Sequence, residues 1–276
     1  MKNKLNHVTL KEKLGGKTLM IRGMSYPKGI FYMDKEYIAH SGVDTKGNIV
    51  THLFTYDKKG MLFFAKRIIV TVPWYLIVGI LGLIIWIIRQ PDYPFYLLPL
   101  ATFGYHFFFP YPLRQFHGAE HKMFSHQGEK SLETLHDIAE SDIVNYHCST
   151  NSVVTFYLLF FLGLGPFGGN LAAILGLIGV VVIPRWLKGL QRHVIFPISK
   201  IIQRQITTVE PDLKHLKTAL FSYLTLTRRQ VVSEKLLRDE MKKAKEEQEL
   251  AIQKEQEQKQ LLLREQIIQE TEWVEI

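Results

Sequence analysis

Hydrophobic positions follow three rhythms along this chain. Between residues 18 and 55 they come as short β-prone runs, Thr18–Arg22, Ile30–Met33, Tyr37–His40 and Ile49–Thr55. Turn-forming strings separate them, Tyr26-Pro-Lys-Gly29, Ser41-Gly42 and Lys46-Gly47-Asn48, and the pattern predicts a small antiparallel sheet. From residue 68 the apolar positions become continuous. Ile68–Ile88 carries no charged side chain and has the length of about 20 residues that a bilayer crossing needs. Its Pro73 lies near one end, where a missing amide is tolerated. Pro94–Pro110 is shorter and aromatic, and reads as the return leg. Val153–Ile183 is uncharged and too long for one straight span, so the cluster Gly163-Leu-Gly-Pro-Phe-Gly-Gly169 predicts a hairpin of two crossings. A single long kinked helix is the alternative. Beyond residue 228 the rhythm is lost. Arg228–Gln269 is rich in Glu, Lys, Gln and Leu, without Gly or Pro, and predicts a long solvated helix. Its heptad starts at Leu237, Met241 and Ala244 but meets Gln248 and Glu255, so a coiled-coil seam is poor.

The expected fold is thus an α-helical integral membrane protein with about four transmembrane helices. A β-rich cytoplasmic domain would occupy residues 1–60, a membrane domain 61–227 and a charged helical tail 228–276. The first 60 residues show no apolar leader segment. Basic residues flank the spans: Lys58, Lys59, Lys66 and Arg67 before the first, Arg114, Lys122 and Lys130 between the second and third, and Arg185, Lys188, Arg192, Lys200 and Arg204 after the fourth. Placing both termini in the cytoplasm of a bacterial cell puts every cluster on the inner side. The net charge of +8 is then explained by membrane lipids as partners, at about 1 kcal/mol per basic residue near anionic headgroups, and calls for no nucleic acid. In Arg185–Arg204, Leu187, Leu190, Val194, Ile198 and Ile201 recur at helical spacing. The pattern fits an amphipathic helix kinked at Pro197, either lying in the interface or packed as a cytoplasmic helix. Cys148 is the only cysteine, which excludes an intrachain disulfide.

The candidate chemistry sits at residues 117–121, His-Gly-Ala-Glu-His. On a helix His117 and His121 share one face, a spacing that lets two imidazoles hold one ion, and Glu120 would take a proton from water on that ion. Pro110 or Pro112 would begin the helix, and Gly118 suggests close approach by another backbone. A catalytic zinc site usually has three protein ligands, so at least one more is needed. His147 and Cys148, at the mouth of the third apolar block, face the same loop and are the nearest candidates. His126, His136, Glu140 and Asp142 are weaker ones. A thiolate favours zinc, iron or copper over magnesium, and zinc is the first expectation for the divalent metal. A haem or quinone site built on His106, His117 and His121 is a rival that the charged Glu120 disfavours. A polar helix face without chemistry is the plainest alternative.

Four stretches together resemble the YqhQ-like bacterial membrane proteins, domain-of-unknown-function family 1385. His-Gly-Ala-Glu-His-Lys at 117–122 is similar to that family's hallmark. Gly15-Gly16 through Arg22-Gly23-Met24 resembles its N-terminal G-G-Q-A-V-I-E-G-V-M-M-R-G segment. Cys148-Ser-Thr resembles its H-P-R-C-G-T box, and Ile206-Thr-Thr-Val-Glu-Pro-Asp212 its T-T-x-E-P motif. The resemblance implies a metal-dependent enzyme without an agreed substrate, in which His117, Glu120, His121 and Cys148 occupy the matching places. The family's box histidine falls on Asn145 here, with His147 beside Cys148, and its N-terminal glutamate has no counterpart in Thr18–Gly23. Two functional expectations follow. One is an integral membrane metalloprotein, a metal-dependent hydrolase acting on a lipid-borne or peptide substrate at the cytoplasmic face. The other is a non-enzymatic scaffold or regulator that recruits a protein partner through its C-terminal helix. The sequence leaves oligomeric state open, a homo-oligomer included.

Overall fold

The computed structural model describes residues 10–14, 17–72 and 74–272. Gly15-Gly16, which open the N-terminal resemblance, and Pro73 lie outside them. Five strands, β1 (Leu10–Leu14), β2 (Lys17–Tyr26), β3 (Gly29–Met33), β4 (Tyr37–Val43) and β5 (Ile49–Thr55), form one antiparallel meander in chain order. The pairing Tyr26↔Gly29 leaves Pro27-Lys28 as a two-residue turn. The Asp44 carboxylate closes the β4–β5 turn by accepting from the Lys46 and Asn48 amides.

Successive residues of β3 face opposite sides of the sheet. Phe31 packs against Phe63 and Phe64 of helix α1 (Lys58–Thr71), whose N-cap is Asp57. Tyr32 packs edge-on against Tyr223 of helix α9 (Leu213–Arg228). The α9 helix is buried from Thr218 to Thr227 and is capped by the Asp212 carboxylate, which accepts from the Lys214 and His215 amides. At its other end Arg229 adopts φ 57° and pairs with Asp34 of the β3–β4 turn at 2.6 Å.

His40 is buried against this sheet, its Nε2 2.6 Å from the Tyr26 hydroxyl and its ring stacked on Tyr26 and tilted against Phe31. Burial, aided by His52 and Arg67, holds its pKa down at about 3. Above pH 6.5 the ring is neutral in both folded and unfolded chains. Below it only the unfolded chain takes up the proton, so stability should fall by about 1.4 kcal/mol per pH unit between 6.5 and 4. Urea denaturation across that range should reveal this slope in the wild type and a shallower one in His40→Leu.

Four membrane crossings are not what the chain builds. Among the described residues one helix, α6 (Thr150–Trp186), is long and apolar enough to cross a membrane, or two if a bent pair counts as one span. That pair is α1 and α2 (Trp74–Arg89), which meet at 93°. Val72, the residue before the proline, has ψ 123° and leaves the helical region, so Ile68–Ile88 is broken rather than continuous. Hydropathy over the run does not register that break. The second expected span holds only helix α3 (Leu97–Gly104) and a 3₁₀ turn, Tyr105–Phe108. Twelve helical residues reach roughly 18 Å, short of a hydrocarbon core of about 30 Å. Within α6 the backbone reverses at Gly168, φ 74°, a conformation that suits glycine. Phe156 and Phe160 then pack on Ala172 and Ala173, and Val154 on Ile183.

The α6 helix is followed by α7 (Lys188–Leu190), a π-turn at Gln191–Ile195, α8 (Phe196–Ile202) and a second π-turn at Gln203–Thr207. The wide turns keep every fourth residue in line, and Gln191, Ile195, Ser199, Gln203 and Thr207 form its buried face. Leu187, Val194, Ile198 and Ile201 of the apolar stripe point outward. Of the inward polar groups, Gln203 donates to Ser199 at 3.0 Å and accepts the Asn145 amide at 2.8 Å.

Between these helices run α4 (Tyr111–Ser125), which begins at Pro110 and carries the H-x-x-E-H string, and α5 (Leu135–Glu140). The α4 helix packs on α9 and β2, so sheet and site share one compact unit ending at Val231. A second unit, Val232–Ile276, holds the charged helix α10 (Glu234–Glu272).

Candidate metal centre

Helix α4 places His117 and His121 one turn apart on its buried face, ring centroids 4.3 Å from each other. Across the intervening loop, Cys148 sits just before α6. One ligand atom from each of the three residues lies within 4.8 Å of the others, and all three are buried. Cys148 Sγ is 3.4 Å from His117 Nε2. A tetrahedral zinc with bonds of about 2.0–2.3 Å separates its nitrogen and sulfur ligands by about 3.5 Å.

Neighbouring carbonyls fix how the imidazoles present themselves. His117 Nδ1 lies 3.1 Å from the Thr207 carbonyl oxygen, and His121 Nδ1 lies 2.6 Å from that of Ile143. A carbonyl only accepts, so both Nδ1 atoms carry a proton, and in the neutral ring the Nε2 atom is the one that offers a lone pair. That is how histidine ligands are oriented in metal sites. Burial holds the His117 pKa down despite the opposing pull of Glu120 and Thr207, favouring the neutral, ligating form. Burial works against ionising Cys148. His121 and Thr150 outweigh it, and the thiol pKa is lowered. The donor set, two imidazoles and an acidified thiol, fits a zinc-type ion.

Glu120 is buried on the same helix, its pKa raised by burial against the influence of His117 and Ser25. Ser25 offers its carboxylate a hydroxyl and a backbone amide. The β2 backbone comes so near at Gly23 that a Cβ there would stand 2.5 Å from a Glu120 oxygen. A raised carboxyl pKa beside such a donor set suits a group that takes and returns a proton.

Lys122 and Gly118 lock the helix into the rest of the site. The Lys122 ammonium, almost fully buried, donates to the Ala139 and Ser141 carbonyls and pairs with Glu210 at 3.0 Å. A Cβ on Gly118 would lie 2.4 Å from the Val209 carbonyl oxygen, so the expected close approach is made by the Thr-Thr-Val-Glu-Pro segment. Thr207, from the same segment, orients His117.

The other candidates fall elsewhere. His147 is exposed, with its ring outside the triad, and lines the adjoining cavity. His136 and Glu140 pair with each other on the surface, Asp142 pairs with Arg204, and His126 approaches the Glu129 carbonyl. Thr207 lies in the T-T-x-E-P motif, but its role and that of Ile143 could not be read there, because they act through backbone oxygens that any residue carries. Lys122 and Glu210 could have been paired from their places in two motifs of opposite charge.

A cavity of about 830 Å³ opens beside His117, Glu120, His121 and Cys148. The fold and site together define a helical protein with a small sheet and a buried His-His-Cys cluster. Residues 112–229, from α4 to the end of α9, match the family described as a protein of unknown function, DUF1385. The match takes in all the site residues named above except Gly23 and Ser25. No curated protein and no solved structure matches the chain.

Proposed function

We propose that this is a membrane-associated, metal-dependent hydrolase whose centre is His117, His121 and Cys148. The observation that carries the reading is the pair of Nδ1–carbonyl contacts, which leaves two buried imidazole lone pairs beside an acidified thiol. Without an ion, burying such an array has no evident return. A divalent metal, zinc first, would supply Lewis acidity there and make water nucleophilic near neutral pH. Glu120 would accept the proton of the attacking water and deliver it to the leaving group. Ser25 would hold that carboxylate in place, and the Thr207 and Ile143 carbonyls would keep the imidazoles turned toward the ion.

Membrane association is supported by apolar side chains that water would not tolerate as a group. Trp74, Tyr75, Val78, Leu81, Ile85 and Trp86 of α2 are exposed. So are Phe161, Leu162, Phe167 and Ile178 of α6. The run from Leu187 to Thr207 favours the interfacial alternative, since its aliphatic stripe faces out and Gln191 and Gln203 face in. Lys188, Arg192, Lys200 and Arg204 on that run suit the anionic cytoplasmic face.

Metal analysis of the purified full-length protein tests the centre. Wild type should carry close to one equivalent of zinc or iron, and His117→Ala/His121→Ala close to none. Equal metal in the two would remove the basis for the proposal.

A further inference from the structure

We infer that the ligand of this centre is a single-chain acyl amphiphile, its tail in the apolar part of the cavity and its polar head against the triad. The inference rests on the metal-centre reading above. At about 830 Å³ the cavity falls within the range of small-molecule sites, about 300–1,000 Å³. Its lining divides by chemistry. His117, Glu120, His121 and Cys148 form the centre, with Ser25 on Glu120, Asn145, His147 and Ser149 near Cys148 in the chain, and Arg22 and His106 also on the lining. Met20, Met24, Met33, Phe64, Ile68 and Phe109 are among the apolar residues of the remaining wall.

Three of those six are methionines, unbranched and deformable, which conform to a flexible chain without demanding a fixed shape. Arg22, on β2 between Met20 and Met24, is exposed and can turn its charge to solvent while its stem covers the tail. Phe64 and Ile68 turn one side of α1 toward the cavity, while Leu62, Ile69 and Val70 of the same helix are exposed. The wall on that side is therefore a single helix, with Leu62, Ile69 and Val70 outside it beside Lys66 and Arg67, as suits a tail arriving from lipid under basic side chains. An extended peptide would bring an N–H and a C=O with every residue, each needing a partner. A hydrocarbon tail brings none.

Hydroxamates of increasing chain length separate the two halves of the site. The full-length protein is loaded with cobalt(II) in lipid nanodiscs, and the visible cobalt bands are followed as acetohydroxamate, hexanohydroxamate and decanohydroxamate are added. The midpoint should fall by at least about a hundredfold from the two-carbon to the ten-carbon compound, because each methylene leaving water for an apolar wall tightens binding. In Met24→Glu, which sets a charge in the tail region, the two-carbon midpoint should persist and the chain-length gain should largely vanish. A flat series in wild type with normal acetohydroxamate binding would overturn the acyl assignment and leave the metal centre standing. An equal gain in Met24→Glu would do the same, because it would report partition into the disc alone. A dipeptide hydroxamate of matched size binding better than the ten-carbon compound would reassign the cavity to peptides. Absence of a thiolate-to-cobalt band would remove the metal centre, and the acyl proposal with it.

Discussion

Gly118→Ala should lower the stability of the protein by about 2 kcal/mol and weaken metal binding about 10- to 100-fold. In an unconstrained helix the same change would gain roughly 1 kcal/mol. Here the new methyl would stand 2.4 Å from the Val209 carbonyl oxygen and 3.1 Å from Ile143 Cδ1. The first is backbone and cannot rotate away. Relief requires α4 to separate from the segment that carries Thr207 and from the loop that carries Ile143. Those two residues orient His117 and His121, so one methyl group disturbs both carbonyl acceptors at once. Thermal melts together with chelator competition measure the two effects. A variant as stable and as tightly metal-bound as wild type would show that the close approach has no bearing on the site.

Lys122→Met should cost about 3 kcal/mol, whereas Glu210→Gln should cost less than about 1 kcal/mol. The asymmetry follows from where the two partners sit. The Lys122 side chain is 5% exposed and the Glu210 side chain 72%. Removing the ammonium leaves the Ala139 and Ser141 carbonyls without their donor, each worth about 1–3 kcal/mol when buried unsatisfied. Removing the carboxylate charge takes away one water-screened pairing and leaves those bonds intact. Urea denaturation of the two variants decides the matter. Similar losses would mean that the ion pair, rather than the carbonyl contacts, fastens the loop between α4 and α6.

Local signals were legible in the sequence and long-range ones were not. Strands β2 to β5 lie where the β-prone runs and turn residues put them, because a two-residue turn such as Pro27-Lys28 fixes register by itself, while β1 (Leu10–Leu14) was not foreseen. The H-x-x-E-H string could be placed on a helix and Cys148 opposite it, since residue spacing along a helix is rigid and the loop between them is short. The number of spans was not legible. The reversal at Gly168 lies within the Gly163–Gly169 cluster that predicted a turn, whereas hydropathy sums over a window and does not respond to the extended backbone at Val72. The inward face of the run after α6 was hidden for a related reason. Glutamines at 191 and 203 look like solvent residues until Asn145 and Ser199 are seen to satisfy Gln203. The carbonyls that orient the two histidines leave no trace in a side-chain alphabet at all.

Because Gln191, Ser199 and Gln203 occupy the inside of their helical run, its aliphatic stripe is left outside among Lys188, Arg192, Lys200 and Arg204. Stripped of lipid or detergent, Leu187, Val194, Ile198 and Ile201 would find cover only against another molecule. On the proposed membrane association, aggregation should precede loss of secondary structure once detergent is removed, and the solubilising agent should govern the apparent shelf life.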